Sequence, residues 1–156
     1  IEGRLRDYLG VSRFIWLRGG IEGDDTDGHI DDVARFVSPG TVVCAVEEDP
    51  SSGNHGILQE NLAILEKARA HDGGPLSIAT VPMPRAREEA VPASYTNFYI
   101  GNGVVLVPTF DDPADGKALR VLESLFPGRV VTGIDCSAMV TGLGAIHCVT
   151  QQFPSP

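Results

Sequence analysis

The residues best suited to chemistry begin in an acidic stretch, GDDTDGHIDD (residues 23–32), which holds five aspartates and one histidine. Such a stretch could bind calcium, form a solvated acidic turn, or supply half of an active site. Its spacing partly resembles an EF-hand loop. However, Gly23 and Ala34 occupy the first and twelfth positions, where that loop needs an aspartate and a bidentate glutamate. The sequence therefore disfavours calcium.

A zinc site is also disfavoured. His29, Cys136, His147 and Cys148 could gather in principle, but no spacing typical of zinc ligands joins them. On a strand, the adjacent side chains of His147 and Cys148 would point to opposite faces. We expect neither a metal nor an organic cofactor.

Nucleophilic catalysis fits the residues better. Cys148 follows the glycine-bearing stretch GLGAIH, where backbone can approach a ligand closely and N–H groups can face it. The thiol needs a proton partner, and His29 is the candidate. In an extended His-x-Asp arrangement, Asp31 would lie on the same face as His29. The alternative is that Cys148 is a small buried hydrophobe, the usual fate of a lone cysteine.

The other cysteines and histidines receive structural interpretations. Cys44 and Cys136 are expected to be buried in the core. His147 is interpreted as structural or as a support for a site residue. His55 and His71 are expected in a solvated loop and at a helix end.

Composition limits the class of protein. The chain has 156 residues with 42% hydrophobic side chains, which suits a single globular domain. Its net charge of -9, with twelve scattered Lys and Arg, favours a small cationic ligand and disfavours nucleic acid. No apolar run is long enough to span a membrane. The odd number of cysteines favours a reducing, cytoplasmic compartment. The oligomeric state is left open, a homo-oligomer included.

Around these residues, the pattern predicts a repeated unit. A helix ends near Gly10, a short buried strand follows at 13–17, and two segments then share a strand, turn, strand, helix, strand layout. Each predicted helix has one apolar face. The first segment has strands at 33–37, 41–46 and 76–81 and a helix at 56–71; the second has strands at 94–100, 104–108 and 129–132 and a helix at 114–126. A last short strand is expected at 145–150. The prediction is an α+β fold of ββαβ repeats, at about 33–81 and 94–132, with partial units at both ends.

Three separated motifs carry a family resemblance. GIEGDDTDGHIDDVARF, PASYTNFYIGNGVVLVPTF and GLGAIHCVTQQFPSP together resemble the agmatine deiminases of the pentein superfamily. The resemblance implies five ββαβ modules around a pseudo-fivefold axis, an α/β propeller. The chain would then be an incomplete, C-terminal portion (1–156) of one catalytic domain. Two features depart from the family: Leu143 interrupts the glycine run, and a short RAREEAV stretch (85–91) replaces a longer loop.

The resemblance also implies roles for residues. Cys148 would be the nucleophile, His29 the general acid and base, and Asp31 a carboxylate that grips a guanidinium. Asn97 and Gly144 would line the substrate site, and Asp25 would face the distant amine of agmatine. Further site residues of the family come from modules with no counterpart in this chain.

The implied function is hydrolysis of agmatine to N-carbamoylputrescine and ammonia through a covalent amidino-thioether, within putrescine metabolism. One alternative is a deiminase of peptidyl or free arginine. A second is an inactive binding or assembly module, since the chain lacks the other modules. We expect the 156-residue chain alone to be inactive.

Overall fold

Two three-stranded sheets form the centre of the computed structural model, which describes residues 1–25, 28–85 and 90–153. Three α-helices and three short 3-10 helices accompany them. The elements are α1 (Glu2–Leu9), a 3-10 helix (Ile30–Asp32), β1 (Ala34–Ser38), β2 (Thr41–Val46), α2 (Gly53–Lys67), β3 (Ser77–Pro82), β4 (Tyr99–Ile100), β5 (Val104–Thr109), α3 (Asp115–Leu125), β6 (Val130–Asp135), and 3-10 helices Met139–Gly142 and His147–Val149.

Both sheets have the same topology. In the first, β1 pairs antiparallel with β2 through a tight turn, and β2 pairs parallel with β3. Parallel neighbours need a crossover connection, which α2 provides. The second sheet repeats this order with β4, β5, α3 and β6. The predicted ββαβ repeat is therefore observed twice.

The helices pack on their sheets by the apolar faces that the sequence indicates. Leu58 and Leu65 of α2 are buried, and so is Leu122 of α3. Burial of each such leucine contributes roughly 1.5–3 kcal/mol. The Ser52 hydroxyl caps α2 by accepting a hydrogen bond from the Asn54 backbone N–H at 3.3 Å. Two apolar clusters result: one lies between the first sheet and α2, and the other joins residues of both sheets, such as Val81 and Val107, to α3.

The start of the chain differs from prediction at one element. Helix α1 ends as expected, with Gly10 in the left-handed region at φ 66°. Residues 13–17, however, form no strand, because no ladder pairs them with another strand in the described part of the chain. Hydrogen bonds that involve side chains hold the segment in place. The Arg18 backbone N–H donates to Asn61 Oδ1 at 2.8 Å, and Arg13 Nη1 donates to the Ala70 carbonyl at 2.7 Å.

The predicted strand 94–100 is mostly a buried turn, and only Tyr99–Ile100 pairs as β4. The Ser94 and Thr96 hydroxyls hydrogen bond to each other at 2.8 Å, and the Thr96 N–H donates to Ser94 Oγ at 3.2 Å. Such local bonds compete with ladder pairing. The turn brings Asn97, which is fully buried, to the centre of the molecule.

The predicted strand 145–150 is also wrong. Leu143 adopts a left-handed conformation at φ 65°, which turns the backbone. A 3-10 helix, His147–Val149, follows, and the Val149 N–H donates to the Ile146 carbonyl at 3.3 Å. Cys148 therefore lies on a tight turn.

The remaining elements lie close to their predicted positions. Helix α2 begins and ends a few residues earlier than predicted, and β6 extends beyond 132 to Asp135. Most of the short RAREEAV stretch, residues 86–89, lies outside the described residues. No helix in the described part of the chain is long and apolar enough to cross a membrane.

Candidate active site

Three tight turns, rather than regular strands, assemble the candidate site. The 3-10 helix Ile30–Asp32 supplies Asp31 and Asp32. The turn before β4 supplies Asn97, and the 3-10 helix His147–Val149 supplies Cys148. Their side chains meet although more than a hundred residues separate Asp31 from Cys148.

Asn97 lies at the centre of these contacts. Its Nδ2 lies 3.1 Å from Asp31 Oδ2, 2.8 Å from Asp32 Oδ1 and 3.1 Å from the Cys148 Sγ. Its Oδ1 accepts from the backbone N–H of His147 at 2.9 Å and of Cys148 at 3.4 Å. One buried amide therefore contacts the nucleophile turn and both carboxylates.

Cys148 is exposed, and its Sγ lies 3.7 Å from Asp31 Oδ2. Partial burial raises the pKa of its thiol, and the nearby Asp31 and Asp32 carboxylates raise it further. Hydrogen bonds from the Ala145 backbone and Asn97 oppose this increase. A cation bound beside Asp31 would favour the thiolate, since it would offset the negative charge.

Gly144 lies directly against the candidate nucleophile. A Cβ at this position would lie 2.9 Å from Cys148 Cβ and 3.1 Å from its Sγ. Only glycine fits there without displacing Cys148. The close approach of backbone to this cysteine agrees with the role expected for the glycine-bearing stretch.

The His-x-Asp arrangement differs from the expectation. Because residues 30–32 form a 3-10 helix and not a strand, His29 and Asp31 face different partners. Asp31 Oδ2 accepts from His147 Nδ1 at 2.6 Å. His29 Nδ1 instead pairs with Asp24 Oδ1 at 2.9 Å, and its backbone N–H donates to Asp24 Oδ2 at 2.6 Å.

His29 and Asp25 thus belong to a second group with Asp24. The Asp24 carboxylate is buried, whereas the His29 ring is 51% exposed. Asp25 is exposed and offers a carboxylate oxygen within 4.8 Å of ligand atoms on the other two. The donor types could hold a cation, but exposed acidic residues commonly gather without one. We therefore assign no metal to these three residues.

Sequence reasoning missed Asp32 and underrated His147. Asp32 is buried beside Asp31, and burial, together with the Asp31 charge, raises the pKa of Asp32 to about 7. The position of His147 next to Cys148 could have indicated a role in the site, but in the predicted strand its side chain would have pointed to the face opposite Cys148. On the 3-10 helix both side chains reach Asp31.

The other cysteines lie as predicted, since Cys44 and Cys136 are buried. The two remaining histidines differ from prediction. His55 lies in the first turn of α2, half-buried, where its Nδ1 donates to the Glu47 carbonyl at 2.8 Å. His71 is exposed, but it lies in a turn beyond the end of α2 and not at the helix end.

Comparisons with known proteins place the chain among solved and curated relatives over nearly all of its length. The agmatine deiminase of Stutzerimonas stutzeri is 36% identical over 177 aligned residues, covering 100% of this chain and 48% of that protein. The solved agmatine deiminase of Enterococcus faecalis superimposes with a TM-score of 0.92 at 34% identity, covering 98% of this chain and 47% of that one. The agmatine deiminase of C. jejuni gives 0.83 at 28% identity, over 94% and 44%.

These matches confirm the resemblance to agmatine deiminases and the predicted pentein fold of ββαβ modules. The chain spans about half the length of the curated relatives it matches. The model of the Porphyromonas-type peptidyl-arginine deiminases matches residues 1–154. Matched over almost all of its length, the chain belongs to the Porphyromonas-type peptidyl-arginine deiminase family.

Proposed function

We propose that this chain supplies the nucleophile of an enzyme that hydrolyses agmatine to N-carbamoylputrescine and ammonia. The observation that carries the proposal is the meeting of Cys148 Sγ with Asp31 Oδ2 at 3.7 Å, beside the Asn97 amide. A nucleophile next to a carboxylate is what a guanidinium substrate requires. The curated relatives named agmatine deiminases support the choice of substrate.

Asp31 would hold the guanidinium. A guanidinium is planar and cationic, and its N–H groups match carboxylate oxygens. Asp31 Oδ2 already accepts from His147 and Asn97, and within the described part of the chain no hydrogen bond reaches its Oδ1. A substrate N–H donating to Oδ1 would place the guanidinium carbon close to Sγ.

The first chemical step would form a covalent intermediate. The Cys148 thiolate attacks the guanidinium carbon, a C–S bond forms, and one C–N bond breaks. The departing nitrogen takes a proton from an acid and leaves as ammonia. The amidino-thioether stays on Cys148, with the substrate chain attached through its remaining substituted nitrogen.

The second step would be hydrolysis. Water loses a proton to a base and attacks the same carbon, the C–S bond breaks, and the ureido product leaves with the thiolate restored. His29 remains the predicted acid and base for both steps, with Asp24 orienting its ring. Because a reactive thiol needs a reducing environment, a cytoplasmic location suits the reaction.

Substitution of Cys148 tests this function. In a protein of the relatives' length that contains this chain, Cys148→Ala should abolish ammonia release from agmatine while agmatine binding remains detectable. Cys44→Ala is a matched control, since Cys44 is a core thiol whose pKa burial raises to about 11. Ammonia release by Cys148→Ala at the parent rate would refute the proposal.

A peptidyl-arginine substrate is the second candidate, favoured by the description of the matched family. The same core chemistry serves both guanidino groups. The two are separated by measuring ureido product from agmatine and from an arginine-containing peptide in parallel. A higher kcat/KM for the peptide would favour the second candidate.

A further inference from the structure

We infer that His147 is a positioning residue that orients Asp31 for the guanidinium, an inference that rests on the proposed function. The sequence pattern indicates that His147 is structural or a support for a site residue, without indicating which residue it would support. The structure joins its Nδ1 to Asp31 Oδ2 at 2.6 Å, immediately beside the nucleophile.

Among the described residues, hydrogen bonds reach the Asp31 carboxylate through one oxygen only. Oδ2 accepts from His147 Nδ1 at 2.6 Å and lies 3.1 Å from Asn97 Nδ2. The Asp31 side chain is 14% exposed and that of His147 29% exposed. With Oδ2 fixed, the carboxylate plane is fixed too, and Oδ1 is left to accept from a ligand.

Asn97 alone cannot hold Asp31. Its NH₂ group has two hydrogens but faces three acceptors, namely Asp31 Oδ2, Asp32 Oδ1 and Cys148 Sγ. Whenever it donates to Asp32 and the thiolate, Asp31 depends on His147. The dependence of Asp31 on His147 is greatest once Cys148 ionises, because a thiolate accepts a hydrogen bond from Asn97 more strongly than a thiol does.

The His147 backbone is itself fixed in place. Its N–H donates to both the carbonyl and the side-chain oxygen of Asn97, at 3.1 and 2.9 Å. Since Cys148 is the next residue of the same 3-10 helix, the nucleophile and the group that orients the carboxylate share one rigid segment. His147 therefore helps to set the distance between the Cys148 Sγ and the Asp31 carboxylate.

Two substitutions test this role. Asparagine at 147 keeps a donor near the position of Nδ1, whereas alanine removes it. In a protein of the relatives' length, His147→Ala should raise KM for agmatine roughly 10- to 100-fold with a smaller change in kcat, as expected for loss of a hydrogen bond to a charged group. His147→Asn should stay within roughly 3-fold of the parent protein. His71→Ala, at an exposed histidine, is the control.

A second measurement needs no turnover and uses the 156-residue chain. Cys148 is alkylated with neutral iodoacetamide and with cationic chloroacetamidine, each followed by mass spectrometry. The parent chain and His147→Asn should favour the cationic reagent. His147→Ala should lose that preference while its rate with iodoacetamide stays the same.

The outcomes distinguish a failure of the proposed function from a failure of the role inferred for His147. A parent protein that releases no ammonia from agmatine refutes the proposed function, whereas the alkylation preference still tests His147. His147→Ala with unchanged KM and unchanged preference overturns the inference. Equal losses in His147→Ala and His147→Asn, together with a lower thermal midpoint, would show a purely structural role and overturn it as well.

Discussion

Asp31 and Asp32 are adjacent in sequence but lie in different environments. Asp31 is partly exposed and meets His147, whereas Asp32 is almost fully buried and is hydrogen-bonded by Asn97. Burial, followed by the Asp31 charge, raises the pKa of Asp32 from 3.8 to about 7. Asp32 therefore retains a proton below about pH 7, and Asp31 is the carboxyl group placed to meet a cation.

A stability measurement tests the state of Asp32. Because its pKa is higher in the folded protein, the folded state holds a proton that the unfolded state loses above about pH 4, so stability falls as pH rises from about 4 to about 7. Asp32→Asn removes this titration. We expect the variant to unfold with a higher free energy than the parent at pH 8, by up to about 4 kcal/mol, and with little difference at pH 4.

The comparison is made by urea unfolding at both pH values. Asp25→Asn is the control, since Asp25 is exposed and its substitution should leave stability within about 0.5 kcal/mol. A variant at Asp32 that is less stable than the parent at pH 8 would show that the carboxylate, not the acid, is the native form.

The single residues were predictable where a motif contained them. Cys148, Asp31, Asn97 and Gly144 came from motifs, and the structure brings all four together. The partner of each residue was not predictable, because it depends on backbone conformation. Because residues 30–32 form a 3-10 helix and not an extended segment, His29 pairs with Asp24 and Asp31 pairs with His147.

At the level of elements, the turn before β4 is held by a side chain from the other sheet. Arg35 of β1 donates from Nη1 to the Phe98 carbonyl at 2.9 Å and lies 4.9 Å from the centre of the Phe98 ring. A longer contact of 3.4 Å reaches the Thr96 carbonyl. Since Asn97 lies between these two residues, Arg35 links the first sheet to the centre of the site.

Replacement of this arginine should loosen the link. Arg35→Met keeps the aliphatic stem but leaves the two carbonyls without their donor, so we expect the free energy of unfolding to fall by about 1–3 kcal/mol. Chemical denaturation of the 156-residue chain measures it. Arg129→Met is the matched control, because Arg129 also donates to a carbonyl and lies near a phenylalanine ring, but is exposed. Equal losses in both variants would contradict the role of Arg35.

Elements defined by periodicity were predicted well, and elements defined by tertiary contacts were not. The α2 and α3 helices and the parallel strands follow from apolar spacing and turn residues. Residues 94–98 suggest a strand because Tyr95, Thr96 and Phe98 are residue types that favour strands, yet the segment forms a buried turn that side-chain hydrogen bonds stabilise. The conformation of such a segment depends on what surrounds it.

The whole molecule exposes much apolar surface. None of the residues of α1 is buried, and Trp16 and Phe36 are more than half exposed. A groove of about 410 Å³, which Phe36 helps to line, is lined largely by apolar side chains. Large exposed patches of this kind mark surfaces that contact other protein. This is in keeping with a chain that spans about half the length of its relatives.

The charges at the site indicate whether the chain can be active by itself. Agmatine carries a guanidinium and a distant amine, two positive charges. Of the two carboxyl groups that contact Asn97, Asp31 is the one that a cation can reach, since Asp32 is buried and has a pKa of about 7. A single carboxylate accepts from only one edge of a guanidinium, and the further site residues that the resemblance implies come from modules with no counterpart in this chain. We therefore expect the 156-residue chain alone to release no measurable ammonia from agmatine.

A fusion tests this expectation directly. Joining the chain to the remaining half of the Stutzerimonas stutzeri agmatine deiminase should supply the missing contacts and produce ammonia release, which Cys148→Ala in the same fusion should abolish. The chain alone is measured at equal concentration. Turnover by the chain alone within about 10-fold of the fusion would mean that its own carboxylates suffice, since that factor corresponds to only about 1.4 kcal/mol of transition-state stabilisation.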